Sequence, residues 1–196
     1  MPGMVVHLSP LTRKPTPGMM EIRLIKASDA AMLAKYHLQN AEHFGPWEPE
    51  RTKDYYLLSQ LKPRLSAIEK EQNDGKSAYF IGTNGQEVFA HCHLSNIIYG
   101  PLQACHMGYG VAKEYEGKGV MTQVCIEAID YAFRNLKLNR IMASYMPSNN
   151  RSAALLNKLG FSIEGVAKRY LNINGNWEDH VMTSLLNPVR SENENV

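Results

Sequence analysis

The stretch Tyr109-Gly110-Val111-Ala112-Lys113-Glu114-Tyr115-Glu116-Gly117-Lys118-Gly119-Val120-Met121-Thr122 constrains this chain more than any other. A strand-like run ends in a loop with two glycines, and the loop opens directly into an amphipathic helix. The first turn of a helix leaves N–H groups unpaired and carries the positive end of the helix dipole. Gly117 and Gly119 let the backbone approach an anion closely. Val120, Met121 and Thr122 therefore head a possible pyrophosphate site, with Lys118 as a counter-charge. The same pattern also fits a plain tight turn. A P-loop is excluded, because its spacing and its Lys-Ser/Thr pair are missing. A dinucleotide fingerprint is excluded too: its three-glycine spacing is absent, and no βαβ unit opens here.

The elements around this stretch are legible from periodicity and turn signals. Glu21 to Ile25 alternates as a short strand. Ser28-Asp29 stands before Ala30, Met32, Leu33, Tyr36 and Leu38 at helical spacing, which predicts a helix capped by Ser28. His43-Phe44-Gly45-Pro46-Trp47-Glu48-Pro49 breaks it and predicts a loop. Tyr55 to Glu71 reads as a second helix, bent or delayed by Pro63. Ser77 to Thr83, the turn Asn84-Gly85 and Glu87 to Ile98 form a hairpin, and Ala104 to Ala112 adds a third strand. A helix follows over Val120 to Leu136, then a strand over Arg140 to Met146. A short helix over Asn149 to Leu159 is closed by Gly160. The last hairpin runs from Phe161 to about Ile173, turns at Asn174-Gly175, and returns from Trp177 to Leu186. The order β-α-α-β-β-β-α-β-α-β-β predicts one α/β (α+β) domain over residues 21–188 with a mixed, largely antiparallel sheet. Residues 1–20 read as a Pro-rich extension and residues 189–196 as a polar tail.

Composition narrows the function. Lys plus Arg is 21 and Asp plus Glu is 19, a formal charge of +2, which argues against direct nucleic-acid or membrane-surface binding. No run approaches the roughly 20 apolar residues that cross a bilayer. Cys92, Cys105 and Cys125 are an odd count without framework spacing, which fits a reducing cytoplasm. His91, Cys92, His93 and Cys105 match no closed zinc set, so no metal is expected. His91 and His93 read as sheet histidines with local partners.

The chain resembles the GNAT N-acetyltransferases. Their phosphate-binding loop, Gln/Arg-x-x-Gly-x-Gly/Ala, falls on Glu116-Gly117-Lys118-Gly119-Val120-Met121, where Gly119 matches. Glu116 replaces Gln or Arg, and Met121 replaces the final small residue. An acidic Glu116 beside a phosphate is unfavourable unless its side chain turns away. Further segments narrow the resemblance. They are Phe44-Gly45-Pro46-Trp47-Glu48-Pro49, Ala104-Cys105 with Gly108-Tyr109, Arg140-Ile141-Met142-Ala143 with Tyr145-Met146-Pro147, Asn150-Arg151-Ser152, and Leu159-Gly160-Phe161 through Asp179-His180. Over about Ile22 to Pro188 the chain is similar to the RimJ-like ribosomal-protein alanine N-acetyltransferases.

That resemblance implies a central sheet splayed at the acetyl-CoA site and flanked by helices. It also implies acetyl transfer from acetyl-CoA to a primary amine, the N-terminal alanine of small-subunit ribosomal protein number five. Tyr109, Gly110 and Val111 would pair by main chain with the pantetheine arm. The side chains of Tyr109 and Val111 are read as sheet filling. Asn149 would hold the pantetheine arm and Ser152 would protonate the leaving thiolate; both residues also suit helix capping. The tyrosine that many GNAT enzymes use for that protonation falls at Leu156 here. Glu48, on a loop the family places at the acceptor mouth, is the candidate base, with ammonium binding or a plain loop role as alternatives. Phe44, Trp47 and Tyr145 are either an acceptor wall or core packing. Acceptors of a different class, a small-molecule amine or none in a non-catalytic CoA-binding module, remain open at this point.

Overall fold

The computed structural model describes residues 20–52 and 54–189. The readings of residues 1–19 and 190–196 as extension and tail lie outside the described residues. Seven strands form one sheet in the order β1-β2-β3-β4-β5-β7-β6. They are β1 (Glu21–Leu24), β2 (Ala78–Thr83), β3 (Val88–Ile98), β4 (Ala104–Val111), β5 (Arg140–Tyr145), β6 (Ser162–Ile173) and β7 (Asn176–Leu186). Every neighbouring pair is antiparallel except β4 and β5.

The helices sort to the two faces by their apolar stripes. On one face, α1 (Ala30–Gln39), α2 (Ala41–Phe44) and α3 (Leu58–Asn73) supply Leu33, Tyr36, Phe44, Leu61 and Leu65 to a cluster with Tyr79 and Ile81. Leu61 and Leu65 lie one turn apart and are almost fully buried, each stabilising the layer by about 1.5–3 kcal/mol. On the other face, α4 (Val120–Asp130) and α5 (Asn150–Lys158) bring Met121, Val124, Cys125, Ala128 and Leu156 onto Cys92, Leu94, Cys105 and Met107. Alternation along β3 and β4 thus sends Cys92, Met107 and Tyr109 to the α4 side, and His91, Gly108 and Gly110 to the α1 side.

Four expectations change in detail. Asp29, not Ser28, stands at the start of α1, and its buried carboxylate is held by Arg23 at 2.7 and 2.9 Å and by the Lys26 N–H at 2.8 Å. The segment read as a loop is largely helical: α2 is followed by a 3-10 turn over Gly45–Trp47. The second helix begins at Leu58, because Tyr55 is engaged by Arg64, whose guanidinium lies 3.6 Å from the ring centroid and donates to the Tyr55 carbonyl at 2.7 Å. Pro63 is accommodated inside α3. The helix read to Leu136 ends its α-helical part at Asp130 and continues as a π turn over Tyr131–Asn135, with the Leu136 N–H bonded to the Tyr131 carbonyl at 3.1 Å.

Candidate active site

The parallel pair β4–β5 is short. It is registered only at Ala104 with Arg140, Cys105 with Ile141 and His106 with Met142. Beyond His106, β4 runs on to Val111 paired with β3 alone, so Met107 to Val111 face a wedge where β5 has drawn away. A strand edge open inside a sheet offers main-chain donors and acceptors to an extended ligand. Tyr109, Gly110 and Val111 all lie on this edge. Past it, a 3-10 turn over Lys113–Tyr115 leads to Gly117 and Gly119, both in the left-handed region with φ of 69° and 79°. Gly119 is the N-cap of α4 and offers no side chain to the first N–H groups, those of Val120, Met121 and Thr122. A Cβ placed on either glycine would meet nothing within 4 Å. The split edge and the uncapped helix start are therefore continuous, and together they fit a thioester arm followed by a pyrophosphate.

Glu116, the acid of the glycine loop, is paired with neighbouring basic groups. Its Oε1 accepts from Nη1 of Arg151 on α5 at 2.6 Å and lies 3.5 Å from Nε2 of His43 on α2. The acid in the glycine loop is thus paired with a largely exposed cation 35 residues further along the chain. Lys118 sits over the Tyr115 ring at 5.4 Å from the nitrogen to the centroid.

At the far side of the wedge, Asn149 and Ser152 separate their roles. Asn149 is the cap of α5: its Oδ1 accepts from the Ser152 N–H at 3.0 Å. The Ser152 hydroxyl plays no part in that cap. It lies 2.6 Å from the Tyr109 hydroxyl, across the gap between β4 and α5. The Tyr109 side chain, read from sequence as sheet filling, therefore bridges the wedge. Burial holds its phenol well above the usual tyrosine range, which keeps it protonated.

Behind Gly110 lies a dense set of aromatic and imidazole rings. His91 is buried, with Nδ1 3.1 Å from the Tyr36 hydroxyl and its ring stacked 5.5 Å from Tyr79. His37 stacks on Tyr56 at 4.2 Å, and its buried Nδ1 has no partner. His93 pairs with the Ser77 hydroxyl at 2.8 Å. Burial pushes His37 and His93 down to about 4 and His91 well below the ordinary range, so all three are neutral at pH 7. Local partners thus satisfy His91 and His93, as the sheet reading expects. Phe44 joins this packed set, 5.3 Å from Tyr36 and 6.3 Å from His91. Trp47 is 40% exposed on the same segment. Tyr145 ends β5 and packs toward the α4 cluster, so it stands apart from Phe44 on the other side of the sheet. Glu48 follows Trp47, and burial raises its carboxyl above the usual range while Arg51 opposes the shift. The turn between β6 and β7 reaches over this segment, where Asn174 Nδ2 donates to the Gly45 carbonyl at 2.6 Å. Among the described residues no group of three or more His, Cys, Asp or Glu is arranged to hold a metal ion, and no helix is long and apolar enough to cross a membrane.

Comparisons with known proteins agree with this geometry. The acetyltransferase (GNAT) domain family matches residues 20–162. The [ribosomal protein uS5]-alanine N-acetyltransferase of Escherichia coli (strain K12) is 39% identical over 169 residues, covering 85% of this chain and 87% of that protein. The crystal structure of ribosomal-protein-S5-alanine acetyltransferase from Vibrio fischeri superposes with a TM-score of 0.84 at 40% identity, over 88% of this chain and 95% of that one. Mycobacterium smegmatis RimJ, in complex with CoA-disulfide, superposes with a TM-score of 0.80 at 29% identity, over 86% and 82% of the two chains. With its split sheet, its glycine loop and relatives of this similarity over most of its length, the chain belongs to the GNAT family and is an acetyl-CoA-dependent N-acetyltransferase.

Proposed function

We propose that the acceptor is the α-amine of a protein N-terminal alanine, on a ribosomal protein of the small subunit, number five. The observation that carries this reading is the shape of the acceptor side. The Trp47 segment and the β6–β7 turn are tied together by the Asn174 to Gly45 bond and leave Trp47 exposed. That edge suits a chain end laid across it. The similarity to alanine N-acetyltransferases over 85% of the chain supports the same acceptor class.

In this reading acetyl-CoA enters the wedge. Main-chain groups of Tyr109, Gly110 and Val111 pair with its pantetheine arm, and Asn149 lies beside that arm while it caps α5. The N–H groups of Val120, Met121 and Thr122, with the open turns at Gly117 and Gly119 and the Lys118 charge, receive the pyrophosphate. An α-amine titrates near 7.7–8.0, so about a tenth or more is neutral at pH 7 and no strong base is required. The neutral amine attacks the thioester carbonyl, a C–N bond forms and the C–S bond breaks. The nitrogen loses a proton to Glu48, directly or through water, while the Ser152 hydroxyl gives its proton to the departing thiolate and regains one from solvent. Trp47 lines the approach of the acceptor, with Phe44 packed against Tyr36 and His91 in the core below it and Tyr145 at the β5 end of the wedge. The reducing, cytoplasmic setting of ribosome assembly suits its three buried free thiols.

The test is thiol release from acetyl-CoA with a short peptide beginning Ala-His, set against an N-terminally blocked copy that contains lysine. Reaction of the free-terminus peptide alone is the expected result. Reaction of the lysine copy alone, or of neither peptide while CoA still binds, overturns the acceptor assignment and favours a small-molecule amine or a non-catalytic role.

A further inference from the structure

We propose that Tyr109 is a positioning residue for the leaving-group step, its hydroxyl donating to Ser152 Oγ so that the one Ser152 proton is left to face the departing sulfur. The proposal rests on the reading of Ser152 as the group that meets the thiolate.

The geometry is specific. Tyr109 stands on the part of β4 that β5 has left, three residues past the last parallel pair at His106. Its hydroxyl and the Ser152 hydroxyl are 2.6 Å apart, although 43 residues separate them in sequence. At that length the contact is a short O–H···O hydrogen bond, and only one of the two protons lies in it. The phenol oxygen shares a lone pair with its ring and is the weaker acceptor of the two, so Tyr109 is assigned as donor and Ser152 Oγ as acceptor. Burial keeps the Tyr109 phenol protonated across the neutral range, so the donor is always present. The Ser152 N–H is already committed to Asn149 Oδ1 at 3.0 Å, which fixes the first turn of α5 and the origin of the side chain. Two constraints therefore hold Ser152: Asn149 sets its backbone, and Tyr109 sets its rotamer and the direction of its proton. A hydroxyl with its proton fixed in advance stabilises developing negative charge without reorganising at the moment of reaction. Without the phenol, the serine proton is free to turn toward other acceptors.

Removing the phenol oxygen alone is a clean perturbation, because Tyr109→Phe keeps the ring that packs on the α4 side. The experiment measures single-turnover rates and KM for acetyl-CoA with the Ala-His peptide for the wild-type chain, Tyr109→Phe, Ser152→Ala and the double variant. Thermal midpoints are recorded for all four. The expected single-turnover rate of Tyr109→Phe is about 3- to 10-fold lower, the range one net hydrogen bond supports, with KM for acetyl-CoA within 2-fold. The double variant is expected to be no slower than Ser152→Ala, since Tyr109 acts only through that serine. Losses that multiply in the double variant overturn the proposal, because Tyr109 would then act independently of Ser152. A Tyr109→Phe chain with the wild-type rate overturns it as well, while a slow Ser152→Ala leaves the reading of Ser152 standing. If Ser152→Ala itself turns over at the wild-type rate, that reading fails and the positioning role with it. A lowered midpoint for Tyr109→Phe with additive rates marks a structural role only, which also overturns the proposal.

Discussion

The packing behind β4 makes a sharp prediction about two glycines on one face of one strand. Gly110→Ala would place a methyl carbon 2.7 Å from Cε1 and 3.3 Å from Nδ1 of His91, and 3.4 Å from Cε1 of Phe44. His91 has nowhere to go. It is buried, joined to Tyr36 at 3.1 Å and stacked on Tyr79. The strain must therefore be taken up by the backbone of β4 or by rupture of the Tyr36 bond. Overpacking of this kind costs about 1–3 kcal/mol. For a domain of this length each kcal/mol moves the thermal midpoint by about 2–4 °C, so the expected fall is about 2–12 °C. Gly108 is the control. It lies two residues earlier on the same face, and a methyl there meets nothing within 4 Å. Neither glycine has a positive φ, so alanine fits both backbones. Gly108→Ala should hold the wild-type midpoint or raise stability by about 0.4–1 kcal/mol, by narrowing the unfolded ensemble. Thermal melts and urea midpoints of the two variants decide the matter. Equal stability of Gly110→Ala and the wild type, or equal losses at both positions, would refute the picture of an imidazole pinned behind the strand.

Three further outcomes are expected. Arg151→Ala removes the cation paired with Glu116 in the proposed pyrophosphate loop, so KM for acetyl-CoA should rise by about 2- to 5-fold with little change in melting, since the arginine is largely exposed; an unchanged KM would show that Glu116 lies outside the field of the phosphates. His37 and His93, held near 4 against an ordinary value of 6.5, bind fewer protons folded than unfolded. Their contribution is complete above about pH 6.5 and is lost as pH falls toward 4, at up to about 1.4 kcal/mol per pH unit for each; a midpoint flat between pH 7 and pH 5 would contradict this. Glu48 as base must be ionised, so kcat/KM should fall as pH drops through its raised pKa, and Glu48→Gln should lose that limb together with about 100-fold or more in rate; a Gln variant with the wild-type profile removes Glu48 from the chemistry.

Much of this protein is written in its sequence because local chemistry is short-ranged. Asn84-Gly85 and Asn174-Gly175 announce their hairpins, and Gly160 closes α5, since each position needs a backbone that few residues supply. The glycine loop before Val120 is legible for the same reason: unpaired N–H groups at a helix start follow from the helix itself. Turn chemistry was weaker where side chains compete. Asp29 displaced Ser28 at the start of α1 because Arg23, on a neighbouring strand, holds its carboxylate. The wedge between β4 and β5 is a tertiary fact. It depends on where β7 pairs with β5, and no residue of β4 encodes it alone. The same holds for the contacts that matter most at the site. Tyr109 meets Ser152 across 43 residues, Glu116 meets Arg151 across 35, and Asn174 meets Gly45 across 129. Periodicity told which face Tyr109 occupies. Only the folding of α5 against the open strand decided that a phenol read as filler would reach a hydroxyl, because the partner of a side chain is chosen by the packing of elements distant along the chain.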